Sequence, residues 1–236
     1  RGLQRHPAWA AIPPRMAGGL RGWFEVRPGE RGPVGLAAAT FFLILFGYML
    51  IRPVREGMRV EGGFGDLYWL WFFTLGGMVL ANLLYAFLAS RVGVRLLATA
   101  AYGVFACTLL VFIVVLVVDP TRTGTAMFAL PGWVVGSAGA QPITLGHVFY
   151  VWLSVFNLFV ISLFWAQAAG TFSLEQSKRL FPIVAAGGTL GAVAGSFTAT
   201  MIARDVPPAG MMGLSLVLLC GAIVVGRFAF AGQGGE

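Results

Sequence analysis

The sequence predicts an all-α membrane protein with six transmembrane helices, and composition, hydropathy pattern and charge distribution all point to this class. Of the 236 residues, 58% are hydrophobic and 11% are charged, whereas a soluble domain carries about 25% charged residues. The apolar residues form long uninterrupted blocks and do not recur at the spacing of an amphipathic surface helix. We therefore expect membrane lipid, and not water, to surround most of this chain.

Six blocks are long enough to cross the hydrocarbon core of a bilayer, which takes roughly 20 apolar residues of helix. They lie at about 33–51, 67–90, 96–118, 148–170, 182–203 and 211–230. The connection 119–147 contains a moderately apolar piece, but Pro131 breaks it, and we expect a loop there. Residues 1–31 are expected to form a basic tail, and residues 231–236 a truncated carboxy-terminal tail.

The distribution of basic residues predicts the orientation of the spans. With the amino terminus in the cytoplasm, cytoplasmic segments hold 11 Lys and Arg residues and outer segments hold 5, as the positive-inside rule requires. We therefore expect both termini in the cytoplasm of a multi-pass protein of the cell membrane. The net charge of +7 reports this orientation, and we expect no nucleic-acid partner because the basic residues lie in short segments between spans.

The outer segment after the first span carries an unusual group of basic residues. If the helix continues past Pro53, four side chains at i, i+4, i+7 and i+11 share one face. They are Tyr48, Arg52, Arg55 and Arg59. Such a stripe attracts a phosphate or carboxylate into a transporter cavity. Two alternatives remain open at this point, because the arginines can also snorkel to lipid headgroups or form structural ion pairs with Glu56.

The fifth span carries glycines at four-residue intervals, namely Gly187, Gly191 and Gly195. Small residues at this spacing form a flat stripe that lets another helix approach closely. A glycine-rich nucleotide loop is the competing interpretation, but such a loop follows a strand and precedes a helix amino terminus. These glycines lie within an apolar helix, and we therefore predict a helix-packing stripe.

Polar residues in the fourth span indicate a second candidate surface. Ser154 and Asn157 share one face of that span, and a buried amide normally hydrogen-bonds a neighbouring helix or a substrate. We include Asn157 among the candidate substrate-binding residues. After this span, Ser173 and Gln176 have the spacing of a capping box, which predicts a short amphipathic helix at the cytoplasmic interface. That segment carries Glu175, Lys178 and Arg179.

The sequence contains no arrangement typical of an enzyme. Cys107 and Cys220 lie inside apolar blocks without the paired spacing of a zinc site or redox motif, and we expect them to be small buried side chains. The two histidines are isolated in the sequence. We therefore expect no catalytic residue, no metal site and no cofactor.

Several short motifs resemble those of a known family. Residues 52–56, Arg-Pro-Val-Arg-Glu, resemble the Arg-Pro-Leu-Lys-Asp motif of the ATP/ADP translocase family, the nucleotide transporters of plastids and obligate intracellular bacteria. Residues 90–95, with Arg91 and Arg95, look like the loop between helices two and three of the wider major facilitator superfamily. The family's fourth and fifth helices are similar in order and spacing to Phe164-Trp165, Glu175, Lys178-Arg179, Phe181-Pro182 and Gly187-Gly188-x-x-Gly191.

The resemblance implies a twelve-helix fold of two six-helix halves, with a central site reached alternately from either side. This chain would be the amino-terminal half of an antiporter in a bacterial inner membrane, completed by a second half or another copy. The resemblance assigns recognition of an anionic nucleotide, ATP or ADP, to Arg55 and the acidic position to Glu56. Arginine in place of the family lysine keeps the charge and changes the donor geometry. Transport of a different small solute, or a non-transporting membrane scaffold, are the alternatives.

Overall fold

The computed structural model of this chain describes residues 26–61, 67–135 and 139–230. Most of the predicted basic tail and the carboxy-terminal tail 231–236 lie outside the described residues. The helices are α1 (Arg31–Glu61), α2 (Leu67–Ala89), α3 (Val94–Val118), α4 (Gly132–Val135), α5 (Leu145–Thr171), α6 (Leu174–Ile202) and α7 (Pro208–Ala229). By length and composition, all of them except the four-residue α4 can cross a membrane. The predicted six-span helical membrane protein is confirmed in this respect.

Helix α1 extends well beyond the predicted end of the first span at residue 51. It passes through Pro53 and continues to Glu61. Pro53 has no N–H to donate to the carbonyl of Met49, but membrane helices tolerate this loss where neighbouring groups satisfy the freed backbone. The condition for a basic stripe on one continuous helix is therefore met.

Helix α6 begins at Leu174, well before the predicted start of the fifth span. The Ser173 hydroxyl accepts a hydrogen bond from the Gln176 N–H at 3.3 Å, and the Gln176 side chain accepts one from the Ser173 N–H at 3.0 Å. This is the predicted capping box. The prediction of a separate interfacial helix was wrong, because the helix that starts here continues through Pro182 to Ile202.

The connection predicted as a loop contains a small β-hairpin. Strand β1 (Ala126–Leu130) pairs antiparallel with β2 (Gln141–Thr144), so the chain is not entirely helical. The connection opens with a 3₁₀ turn, Pro120–Thr123, which Asp119 caps. Hydrogen bonds that Thr121 and Arg122 donate to the Asp119 carboxylate lower the pKa of that group.

The six long helices form two triplets with corresponding contacts. Helix α1 of the first triplet packs against α6 and α7, and α5, which opens the second triplet, packs against α2 and α3. Helices α1 and α5 also contact each other, as do α3 and α7. Because each triplet contains an odd number of spans, the second starts on the opposite side of the membrane. In both triplets, the first helix packs against the second and third helices of the other triplet.

We call the face at which α1, α3 and α6 begin the inner face, because it is the cytoplasmic face in the orientation predicted from the basic residues. Two contacts join the starts of α1 and α6 at this face. The Arg179 guanidinium near the start of α6 lies 3.0 Å from the Glu30 carboxylate beside the start of α1. Gln176 donates a further hydrogen bond to that same carboxylate at 3.2 Å. Helices α5 and α7 begin at the opposite, outer face.

Glycines allow α6 to lie directly against the backbone of α1. A Cβ added at Gly187 would lie 2.7 Å from the carbonyl oxygen of Ala38. A Cβ added at Gly191 would overlap the carbonyl oxygen of Phe42, and one at Gly195 would meet the carbonyl oxygen of Phe46. All three contacts are with backbone atoms, which cannot rotate away as a side chain can.

The two cysteines are not where the sequence predicts them. Cys107 on α3 and Cys220 on α7 are both exposed on the surface of the bundle. The prediction assumed that an apolar span buries its small residues against other helices. A helix in a bilayer has no such requirement, since hydrocarbon solvates a thiol-bearing apolar face as well as protein does.

Candidate functional site

The arginine of the resemblance motif lies between the two central helices. Arg55 on α1 points toward α5, where its Nη1 donates to the Ser154 hydroxyl at 3.4 Å. Its Cζ lies 4.7 Å from the centre of the Tyr150 ring, within the range of a cation–π contact. Nε and Nη2 donate to the Glu56 carboxylate at 3.1 and 2.6 Å. We call Arg55, Glu56, Tyr150, Ser154 and Asn157 the α1–α5 site.

Arg55 lies six residues before the outer end of α1, roughly 9 Å along the helix axis. Ser154, its contact on α5, is nine residues after Leu145, roughly 14 Å along the helix axis. Helix α5 has 27 residues, and is therefore about 40 Å long against a hydrocarbon core of about 30 Å. If α5 is centred in the bilayer, Ser154 lies roughly 9 Å below the outer edge of the hydrocarbon. The same centring applied to the 31-residue α1 puts Arg55 itself near the outer edge of the hydrocarbon core, and its guanidinium reaches from there toward α5.

The guanidinium is enclosed but not fully satisfied. The side chain of Arg55 is 12% exposed and that of Glu56 is 42% exposed. Arginine has five N–H donors, and three of them are used in the contacts with Glu56 and Ser154. Within the described residues, two donors remain for a ligand. Ser154 is itself held in place, since its hydroxyl donates to the Tyr150 carbonyl at 2.8 Å.

Asn157 lies one turn deeper on α5 than Ser154. Its side chain is half-buried and makes no hydrogen bond within the part of the chain that the structure describes. The sequence interpretation left open whether this amide bonds a neighbouring helix or a substrate. The structure provides no helix partner for it among the described residues, and an unpaired amide at this depth is costly. Asn157 follows Ser154, the residue that Arg55 contacts, by three positions and so lies near it on the surface of α5.

The other residues of the predicted basic stripe differ from Arg55 in their exposure and contacts. Tyr48 is buried among the core residues of the bundle, two turns deeper than Arg55. Arg52 is exposed and forms no hydrogen bond or ion pair with the described residues, whereas the side chain of Arg59 falls outside them. The sequence analysis did not single out Tyr150. Its position four residues before Ser154 on the same helix face was the available indication.

The predicted loop residues lie at the inner face. Arg91 and Arg95 are exposed at the α2–α3 turn, and the Arg91 guanidinium stacks over the Phe87 ring at 4.5 Å. Glu175 and Lys178 are exposed in the first turns of α6, where the acidic residue complements the helix dipole. Arg179 differs from its neighbours, since its contact with Glu30 ties the start of α6 to the start of α1.

Metal ligation is not indicated by the described residues, since no group of three or more His, Cys, Asp or Glu side chains comes together among them. The α1–α5 site has one strong cation, one carboxylate and neutral hydrogen-bonding groups. Such a set can bind and orient an anion.

The fold and these contacts define a multi-span helical membrane protein with a charged group between its two central helices. Comparison with protein-family models, with curated proteins and with solved structures finds no match for this chain.

Proposed function

We propose that this chain is one six-helix half, the amino-terminal one, of a major-facilitator-type transporter that moves an anionic solute by alternating access. The observation that carries the proposal is the Arg55 guanidinium, enclosed between α1 and α5 with N–H donors to spare. A charged residue inside a membrane domain is costly, and by default it indicates a functional site such as a substrate or ion pathway.

The helix arrangement supports this class of transporter. Two triplets related as an inverted repeat are the building plan of each six-helix half in major facilitators. In that plan the first helix of each triplet is central, and here those helices are α1 and α5. They are also the two helices that contribute the α1–α5 site. The anion-binding group thus lies at the junction of the triplets, and a second half would close the pathway over it.

Nucleotide is our proposed substrate class, and it rests on the resemblance of residues 52–56 together with the chemistry of the site. A guanidinium matches the planar geometry of phosphate oxygens and binds them by two parallel hydrogen bonds. The Tyr150 ring lies against this guanidinium in a cation–π contact. In this structure one carboxylate oxygen of Glu56 accepts hydrogen bonds from the same guanidinium. An incoming phosphate would have to displace that oxygen.

A ligand panel on the purified chain in detergent tests the substrate class. We expect ADP and ATP to bind and adenosine to bind much more weakly, because the site recognises the phosphates and not the base. Binding is measured by calorimetry, with citrate as an unrelated organic anion. Equal binding of adenosine and ADP, or citrate that competes as well as ADP, would contradict the nucleotide assignment. If none of the anions binds, anion transport is contradicted as well.

Water access to Asn157 separates a transporter from a membrane scaffold. In a background with Cys107 and Cys220 replaced by Ser, we expect Asn157→Cys to react with a membrane-impermeant maleimide. Thiolate forms only where water reaches the sulfur, and ADP should slow the reaction. The matched control is Phe197→Cys on an exposed apolar face of α6, which should remain unlabelled. Equal inertness of both positions in intact membranes would favour the scaffold.

A further inference from the structure

A cavity of about 360 Å³ opens at the inner face, away from the α1–α5 site. It lies between the first turns of α3 and the last turns of α5 and α7. Arg95 and Thr99 line it from α3, Gln167 from α5, and Arg227 with Phe230 from the end of α7. Its volume is within the range of small-molecule sites in proteins.

Two guanidinium groups line this cavity, and the described residues place no counter-ion beside either of them. Arg95 and Arg227 are exposed at its rim, and neither forms a hydrogen bond or ion pair with the residues that the structure describes. The carboxylate of Glu30, on the same face, is bound instead by Arg179 and Gln176. Two like charges on one cavity wall repel each other, and an anion between them relieves that repulsion.

One neutral side-chain amide and several apolar residues complete the lining of the cavity. The side-chain amide of Gln167 is half-buried and without a hydrogen-bond partner among the described residues. Thr99 is already committed, because its hydroxyl donates to the Arg95 carbonyl at 3.0 Å. One turn further into the membrane the lining becomes apolar, with Ala222 and Ile223. The cavity is therefore cationic at the membrane surface and apolar below it.

We propose that this cavity binds the headgroup of an anionic phospholipid from the inner leaflet. The chemistry that it recognises is a phosphate anion, placed between Arg95 and Arg227 and within reach of the Gln167 amide. Basic pockets between transmembrane helices on the cytoplasmic side bind anionic headgroups for this reason. A lipid is the source that also explains the apolar floor, since its acyl chains continue along the groove into the hydrocarbon. Free phosphate has no apolar part that could contact this surface.

Native mass spectrometry of the full chain with defined lipids tests the proposal. We expect wild type to retain phosphatidylglycerol in preference to phosphatidylcholine. The double variant Arg95→Gln, Arg227→Gln should bind phosphatidylglycerol on the order of 30-fold more weakly, as expected for two interfacial arginines. The matched control is Arg91→Gln, which removes a basic residue from the same turn but outside the cavity and should retain the lipid.

Two further measurements distinguish a lipid from a soluble anion and provide for a double variant that does not fold. Inorganic phosphate is added to the lipid-loaded wild type, and we expect it to displace little phosphatidylglycerol at millimolar concentration. Ready displacement would assign the cavity to a soluble anion and overturn the lipid assignment, as would equal lipid binding by wild type and the double variant. If the double variant does not fold, the preference of wild type for phosphatidylglycerol over phosphatidylcholine is compared with that of Arg227→Gln alone. An unchanged preference overturns the proposal.

Discussion

Arg55→Gln is expected to weaken binding of ADP to the purified chain by roughly ten- to a hundredfold, because a hydrogen bond to a charged group contributes about 1.5–3 kcal/mol. Glutamine keeps a hydrogen-bonding group near Ser154 but has no charge to offer a phosphate. Calorimetric titration of wild type and variant with ADP measures the difference. Arg55→Lys should retain more affinity than Arg55→Gln, since lysine keeps the charge and loses only the two-pronged geometry.

The matched control is Arg204→Gln, which removes one basic residue from the same outer face. Arg204 is exposed and has no ion pair with the described residues, so its removal changes net charge equally without touching the α1–α5 site. We expect its affinity for ADP to match that of wild type. Equal losses in Arg204→Gln and Arg55→Gln would attribute the effect to general electrostatic attraction and contradict a specific role for Arg55.

Glu56 provides a test of opposite sign at the same site. Its carboxylate accepts two hydrogen bonds from Arg55 in this structure and competes with an anionic ligand for those donors. In the same titration, Glu56→Gln should therefore bind ADP at least as tightly as wild type, whereas Arg55→Gln binds it more weakly. If the pair is purely structural, neither substitution changes affinity and both lower the thermal stability of the bundle.

The second large effect is expected at the glycine stripe, where Gly191→Ala should lower the free energy of unfolding by about 1–3 kcal/mol, the usual cost of overpacking. The added methyl group would overlap the carbonyl oxygen and Cα of Phe42 in α1. Backbone atoms cannot turn aside, so α6 has to move away from α1 and loses packing along the interface. Thermal unfolding in detergent, followed by tryptophan fluorescence, measures the change.

Gly213→Ala on α7 is the control for the chemistry of the substitution. A Cβ at that helical position meets nothing within 4 Å, and alanine is favoured over glycine in a helix by up to about 1 kcal/mol. We expect this variant to be as stable as wild type or more stable. The close-packing explanation for Gly191 would be untenable if the two substitutions shifted the unfolding temperature equally.

The six spans could be predicted from the sequence, but several of their ends could not. Apolar content specifies what enters the hydrocarbon core, whereas a helix ends where capping or packing ends it. Helix α1 continues past Pro53 to Glu61, and α6 starts at the Ser173 cap, not at Pro182. Both prolines lie inside a helix because one missing hydrogen bond is tolerated when the rest of the helix is packed. The small hairpin after Asp119 was missed, since its strands are short and weakly patterned.

The candidate site was only partly predictable. Helical spacing placed Arg55 on a face with Tyr48, and the amide of Asn157 was singled out on the fourth span. Spacing within a helix says nothing about which other helix that face meets. The contact of Arg55 with Tyr150 and Ser154 joins residues about 100 positions apart, and the cavity between Arg95 and Arg227 joins positions still more distant.

The sequence by itself determined the solvent of this protein and the number of its candidate spans, and it predicts their orientation. These properties follow from the transfer free energy of each segment and from the charges beside it, which are local sums over neighbouring residues. Only the tertiary structure decided that α1 and α5 are central and that Arg55 is held between them. It also decided that Arg95 and Arg227 line one cavity at the inner face. Those properties depend on which helices pack together, and all six spans are apolar enough to pack with any of the others.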